Sequence, residues 1–95
     1  MIKSFKDKET LKVFSLELSK KFPRDIQQRA YQKLALLNAA SCIDAIKVPP
    51  SNHLEKLKGH RKDELSIRIN RQWRICFNFN EKENAAYNVG IEDYH

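Results

Sequence analysis

Arg68 and Arg74 flank the polar stretch Asn70-Arg71-Gln72, and the chain closes on Asp93-Tyr94-His95. With Lys58, these are the residues whose types fit attack on a phosphodiester. Cleaving RNA through its own 2′-hydroxyl needs a group to take the 2′ proton, donors to hold the extra charge on the phosphorane, and an acid for the 5′-oxygen. Arginine offers a planar, always-charged fork that matches phosphate oxygens. Histidine titrates near neutral pH and serves as acid or base, and tyrosine stacks on a base or orients a hydroxyl. The set needs no metal, and His53, His60 and His95 lack metal-ligand spacing, so no metal or other cofactor is expected.

Each feature also has a plainer reading. Arg68 and Arg74 would serve as solvated charges paired with Glu92 or Asp63, and surface pairs of that kind are worth little. A terminal histidine is more often frayed than catalytic. Trp73, Phe77 and Phe79 share the parity of a core face, and nothing marks Cys76 as a nucleophile.

The element that must position the arginines is a hairpin. In Leu65 to Ile69 and Trp73 to Phe79 apolar residues alternate with others at a period of two, which marks half-buried strands. Leu65, Ile67, Ile69, Trp73, Ile75, Phe77 and Phe79 form the core face; Ser66, Arg68, Arg74, Cys76 and Asn78 form the other. Pairing Ile69 with Trp73 sets Arg68 directly across from Arg74, and like charges facing across a sheet are destabilising. The pattern points to an anion there, on an exposed sheet face.

A polar turn, Asn80 to Asn84, leads to a strand from Ala85 to Ile91. Matching Phe79 to Ala85 pairs Phe77 with Tyr87, Ile75 with Val89 and Trp73 with Ile91, all apolar. That register sets Gly90 opposite Arg74, where the missing side chain leaves room for a ligand. It also brings the tail beside the Arg68–Arg74 turn.

Upstream, Ile2 to Phe5 reads as an edge strand. Asp7 caps a helix carrying Leu11, Phe14, Leu18 and Phe22, which Pro23 ends. A second helix from Arg24 buries Ile26, Ala30, Leu34 and Leu37, with its Lys, Arg and Gln outside; Ser41 caps a short turn through Ile43 and Ile46. Residues 47–52, with a Pro pair, are loop. Leu54 and Leu57 start a strand ending at Lys58-Gly59-His60. Between Lys56 and Arg74 stand seven Lys or Arg against two acids, Asp63 and Glu64.

Ninety-five residues suffice for one domain, residues 1–95, with one modest core. The balance of 18 basic to 12 acidic side chains, net +6, points to an acidic partner, nucleic acid first. Two unspaced cysteines fit free thiols in a reducing cytoplasm. Neither a signal-like N-terminus nor a membrane-length apolar run is present, so a cytoplasmic protein without a membrane partner is expected.

The chain resembles the HigB-type toxins of the RelE superfamily, the plasmid maintenance killer branch of toxin–antitoxin systems. The resemblance rests on Met1-Ile2-Lys3-Ser4-Phe5, on Asn52-His53-Leu54-Glu55-Lys56-Leu57-Lys58-Gly59, on Ser66 to Phe77 with its Asn-x-x-Trp-Arg-Ile-x-Phe core, and on Glu92-Asp93-Tyr94-His95. It implies an α+β fold, two N-terminal helices packed on a small, mainly antiparallel sheet, RelE-like and similar to microbial ribonucleases. It further implies a ribosome-dependent mRNA endoribonuclease that cuts in the ribosomal A site and is inhibited by a HigA-like helix-turn-helix antitoxin, with operator DNA bound only through that antitoxin.

By motif, Arg74 stabilises the scissile phosphate, His95 acts as acid or base, Asp93 and Tyr94 support the substrate, and Lys58 contacts phosphate. Arg68, Asn70, Arg71, Lys56, His60 and Arg61 are the expected RNA contacts. Some relatives carry His where this chain has Glu55, so Glu55, His53 or His60 is the candidate for that role. On this reading Arg74→Ala abolishes growth inhibition and leaves the fold intact. The alternatives are a non-catalytic basic RNA- or DNA-binding module, which binds with steep salt dependence and cuts nothing, and an antitoxin-binding co-repressor, which is indifferent to Arg74.

Overall fold

Asp7 opens the first helix, α1 (Lys8–Phe14), by accepting the Thr10 backbone N–H at 2.7 Å, a donor the first turn otherwise leaves unpaired. The computed structural model describes residues 1–93, so the roles assigned to Tyr94 and His95 lie outside the described residues. The helix is shorter than its apolar spacing predicts. Ser15 ends it and Leu16 turns left-handed at φ 63°, a conformation that no helix continues through. The expected apolar stripe therefore breaks up: Leu11 is exposed, Leu18 is 58% exposed, and Thr10 and Val13 take the buried face. Phe22 stays in the core, edge-on to Trp73 with ring centroids 5.7 Å apart.

What replaces the missing helical turns is a buried amide. Gln27 Oε1 accepts from Ser19 N at 3.0 Å, and its Nε2 donates to Ser19 O at 2.7 Å and Phe22 O at 2.8 Å. One polar side chain thus satisfies a loop that has no ladder of its own. The second helix, α2 (Arg24–Ala39), follows Pro23 and buries Ile26, Ala30, Leu34 and Leu37 as its spacing requires. Truncating one of these leucines removes packing worth about 2–5 kcal/mol. The short α3 (Ile43–Ile46) buries Ile46, but Cys42 and not Ser41 stands at its cap, without a side-chain bond.

The sheet is antiparallel throughout, in the order β1 (Glu55–Lys56), β2 (Leu65–Arg68), β3 (Trp73–Asn80), β4 (Ala85–Asp93). Ile67, Ile69, Ile75, Phe77, Val89 and Ile91 share one core with α1 and α2, giving the expected α+β architecture. Residues 2–5 lie along the free edge of β4. Ile2 bridges Ala86 and Phe5 bridges Val89, both parallel, with Lys3 N donating to Ala86 O and Lys6 N to Val89 O, each at 2.8 Å.

Three expectations about the sheet need correction. The first strand is only Glu55–Lys56, because Gly59 at φ 70° turns the chain into a 3-10 turn over Gly59–Arg61. The β3–β4 register is displaced: Ile75 pairs with Ile91, Cys76 with Gly90, Arg74 with Glu92, and Phe79 with Ala86. The turn pairs Asn80 with Ala85, a shift of one, and a bulge between Cys76 and Asn78 adds a second, with Asn88 left-handed at φ 54°, so β4 spends an extra residue there. Gly90 is thus across from Cys76, not Arg74. The space above it is filled, since an added Cβ would meet Lys6 Cβ at 3.1 Å. The third correction concerns the second sheet face, which is not exposed: Ser66 is 0% exposed, Cys76 2% and Arg74 5%. The 53–64 segment crosses it, with the His53 carbonyl on Arg74, Arg61 on Glu92 and the Asp63 carbonyl on Asn78.

Candidate functional site

The turn after Ile69 forms as expected, and Arg68 does pair with Arg74. Asn70 builds the turn: its Oδ1 accepts from Gln72 N and Trp73 N, both at 2.8 Å, an Asx turn that sets the hairpin register. Burial then separates the two arginines. Arg74 Nε donates to Ser66 Oγ at 2.8 Å, and Nη2 donates to His53 O at 2.5 Å and Ser66 O at 3.3 Å. Arg68 is half-buried, with Nε donating to Asn70 O at 3.1 Å. Arg74 is therefore a positive charge fixed inside the protein, where electrostatic effects are stronger than in water.

Arg74 lines neither of two clefts itself, but its two ladder partners, Glu92 and Arg68, each line one. The first, about 440 Å³, is lined by Glu55, Lys56, Leu57, Lys58, Arg61, Cys76, Glu92 and Asp93. It brings together five of the residues singled out by sequence: Lys58, Lys56, Glu55, Arg61 and Asp93. The second, about 320 Å³, lies between α2 and the β2–β3 turn and takes four more, Arg68, Asn70, Arg71 and His53, together with Arg29, Lys33, Ser51 and Ile69. His60, exposed on the 3-10 turn, and the buried Arg74 line neither.

The first cleft is held open by an ion-pair clamp. Arg61 grips Glu92 with Nη1–Oε1 at 2.8 Å and Nη2–Oε2 at 2.7 Å, and Glu64 with Nε–Oε2 at 2.9 Å and Nη2–Oε1 at 2.8 Å. Lys6 reaches Glu92 from the other side at 3.2 Å. Two bidentate forks on half-buried carboxylates fix geometry as well as charge. They tie the 3-10 turn, and the adjoining Lys58, to the end of β4. Hydrogen bonding by Arg61 holds Glu64 below the usual carboxylate range and pulls Glu92 down to about 2, and the two acids hold the Arg61 proton more firmly still.

Arg61, expected to contact RNA, is thus occupied as a positioning residue. The cations the cleft presents without a carboxylate partner among the described residues are Lys56 and Lys58. They stand with Glu55 on β1 and with Asp93, whose Oδ2 accepts from Gln72 Nε2 at 3.1 Å. Cys76 closes the wall: burial first, then the Glu92 charge, pushes its thiol up to about 11. That is the opposite of an activated nucleophile.

Sequence reading missed the α2 contribution to the second cleft. Arg29 and Lys33, four apart on α2, share a helix face; that spacing was the available signal, but it reads equally as a solvated outer surface. The Arg61–Glu92 clamp joins residues 31 apart in sequence and has no local signature. Among the described residues no helix is long and apolar enough to cross a membrane.

Residues 3–95 match the family described as RelE-like toxin of type II toxin–antitoxin system HigB. Endoribonuclease HigB of Proteus vulgaris is 33% identical over 95 residues, covering 100% of both chains. Toxin HigB-1 of Vibrio cholerae is 38% identical over 55 residues, 58% of each chain. An uncharacterized protein of Haemophilus influenzae is 32% identical over 63 residues, 66% of this chain and 62% of that one. The last two matches thus span less than two thirds of those relatives. A helix-backed antiparallel sheet matched along its length by this family leads to one conclusion: the chain belongs to the HigB family of RelE-like toxins of type II toxin–antitoxin systems.

Proposed function

We infer that this protein is an endoribonuclease toxin that cuts mRNA on the ribosome, in the A site, by attack of the 2′-hydroxyl on the adjacent phosphate. The observation that carries this reading is the cleft that Lys58, Glu55 and Asp93 line together, with its Glu92 the ladder partner of buried Arg74. The Proteus relative's name, an endoribonuclease, supports the same reaction class.

In the proposed step the 2′-hydroxyl proton passes to a carboxylate, the 2′-oxygen–phosphorus bond forms and the phosphorus–5′-oxygen bond breaks. The 5′-oxygen leaves with a proton from an acid, giving a 2′,3′-cyclic phosphate and a 5′-hydroxyl. Glu55 is the base: of Glu55, His53 and His60, it is the one that lines this cleft. His95 is the acid, a role that follows from its place in the family's terminal motif. Lys58 supplies a mobile positive charge to the phosphorane and Arg74 a fixed one, the preorganised kind of stabilisation that contributes most in such reactions. Asp93 and Tyr94 support the substrate. Side chains fill every role, so the scheme routes no step through a metal. The protein acts in the cytoplasm and is silenced there by a HigA-like helix-turn-helix antitoxin.

Primer extension on a translated mRNA, with and without ribosomes, tests the reading using wild type, Lys58→Ala and Glu55→Gln. The expected result is cuts that need ribosomes and wild-type protein, with both variants folded and inactive. Uncut message with wild-type protein, or full cutting by folded Lys58→Ala, overturns it.

A further inference from the structure

The second cleft is unlike the first in one respect: cations line it and no carboxylate does. Arg29, Lys33, Arg68 and Arg71 line it from α2 and the β2–β3 turn, and none has a carboxylate partner among the described residues. Neutral oxygens anchor them instead. Arg68 donates to Asn70 O at 3.1 Å and Arg29 Nη1 to Ile69 O at 3.5 Å. Lys33 Nζ donates to Asn52 Oδ1. Asn52 is itself fully buried and locked, its Nδ2 donating to Ile46 O at 3.1 Å and Val48 O at 3.0 Å.

Positive charges gathered in this way oppose folding. Like charges four apart on a helix are mutually destabilising, as are like charges directly opposed in a sheet, here Arg68 and Arg74. Burial, then repulsion from Arg29, makes the Lys33 ammonium easier to deprotonate than usual. No Asp or Glu appears among the lining residues; Ser51, Asn70, His53 and Ile69 complete the wall. An incoming anion relieves all of these repulsions at once.

We propose that this cleft is a second nucleic-acid site, one that grips the phosphodiester backbone outside the nucleotides being cut. The polymer, and not a single small anion, fits because the cations come from separate elements: α2, the strand end and the exposed turn. They would meet successive phosphates. The site shares no lining residue with the first cleft, so it binds without touching the reacting phosphate. Arg29 and Lys33 are the residues that distinguish it, and they stand outside the sequence motifs that define the family resemblance. Only the choice of RNA as the polymer rests on the function proposed above.

The test is fluorescence anisotropy of a labelled RNA whose 2′-hydroxyls are methylated, so that binding is read without cleavage, titrated across potassium chloride concentrations. Arg29→Gln/Lys33→Gln is expected to bind at least about tenfold more weakly at low salt. The slope of log affinity against log salt is expected to flatten by roughly 1.4, about 0.7 for each phosphate that the variant no longer neutralises. Because Lys33 also holds Asn52, Arg29→Gln/Arg71→Gln provides a second variant, on exposed residues, with the same expected direction.

Unchanged affinity and slope in both folded variants overturns the proposal. So does loss of antitoxin capture with RNA binding intact, which would make the cleft a protein interface. Equal occupancy by inorganic phosphate alone, with no gain from the polymer, overturns it as well. The two readouts separate this proposal from the catalytic one: ribosome-dependent cuts by wild type with unchanged anisotropy in both variants overturn this proposal alone, and uncut message with the weakened anisotropy overturns the catalytic one alone.

Discussion

The two clefts each include a ladder partner of one buried arginine and handle charge in opposite ways. Around Glu92 the protein neutralises itself, with Lys6 and Arg61 matched to Glu64 and Glu92 in a closed clamp. Around Lys33 it leaves positive charge uncompensated and steadies it with amide and carbonyl oxygens. A neutralised clamp sets geometry, which suits a site that must hold reacting groups within a fraction of an ångström. An uncompensated cluster sets potential, which suits a site that attracts and holds a polyanion of any sequence. The same residue types thus do different work according to what anchors them.

The sharpest way to break the comparison is Lys58→Ala. Lys58 makes no side-chain bond that holds the fold together among the described residues, so cleavage should fall by about 100-fold or more while the melting temperature stays at the wild-type value. Loss of both together would make the first cleft a structural element.

Arg74 comes next, and here the sequence-based expectation of an intact fold gives way. Arg74→Ala leaves Ser66 Oγ and the His53 and Ser66 carbonyls without their donor. Buried acceptors stranded in this way cost about 1–3 kcal/mol each, so the variant should unfold at clearly lower urea concentration as well as losing activity. A wild-type urea midpoint would mean that Arg74 is there for chemistry alone.

Glu92→Gln should cost less, about 1–2 kcal/mol, the scale of a charged hydrogen bond in a half-exposed setting. The pH dependence has a definite sign. Glu92 titrates lower in the folded protein, near 2, than in the unfolded chain, near 4.5. Its stabilisation is therefore complete above the unfolded value and is lost as pH falls from there toward 2. Urea titrations at pH 6 and pH 3 should show wild type losing more stability than Glu92→Gln over that interval. Equal losses would mean that the clamp is not what acid opens.

The smallest effect belongs to Gly90→Ala. Its added methyl would press on Lys6 Cβ at 3.1 Å and Cδ at 3.2 Å, part of a flexible side chain that can shift. Stability should change by less than about 1 kcal/mol, with the Lys6–Glu92 pair loosened; nuclear magnetic resonance shifts at Glu92 would report it.

How much of this was legible in the sequence differs from one element to the next. The β2–β3 hairpin was, down to Arg68 facing Arg74, because a short Asx turn leaves one register open and period-two alternation confirms it. Helix α2 was legible from its apolar spacing. The β3–β4 register was not: the turn closes on Asn80 and Ala85, a shift of one, the extra residue at Asn88 makes it two, and each shifted ladder still matches apolar to apolar in part.

The start of α1 was readable from Asp7, but its end was not, since Leu16 adopts a conformation leucine rarely takes. The site was half legible. Residue types identified Lys58, Glu55 and Asp93, yet the alternation that correctly grouped Ser66, Arg74 and Cys76 could not reveal that an irregular segment covers them. Nor could spacing alone tell Arg61, a clamp, from Lys58, a presented charge.

The strip of chain along the outer edge of β4 has a consequence for assembly. Residues 2–6 are synthesised before β4, yet their backbone pairs with Ala86 and Val89, more than eighty residues later. Contacts so distant along the chain form late and slowly. Lys6 reaches the Glu92 clamp from this same strip, so the first cleft is completed only once β4 is in place. A polypeptide still emerging from the ribosome therefore lacks its finished cleft until the last strand is out, a built-in delay between making the protein and arming it.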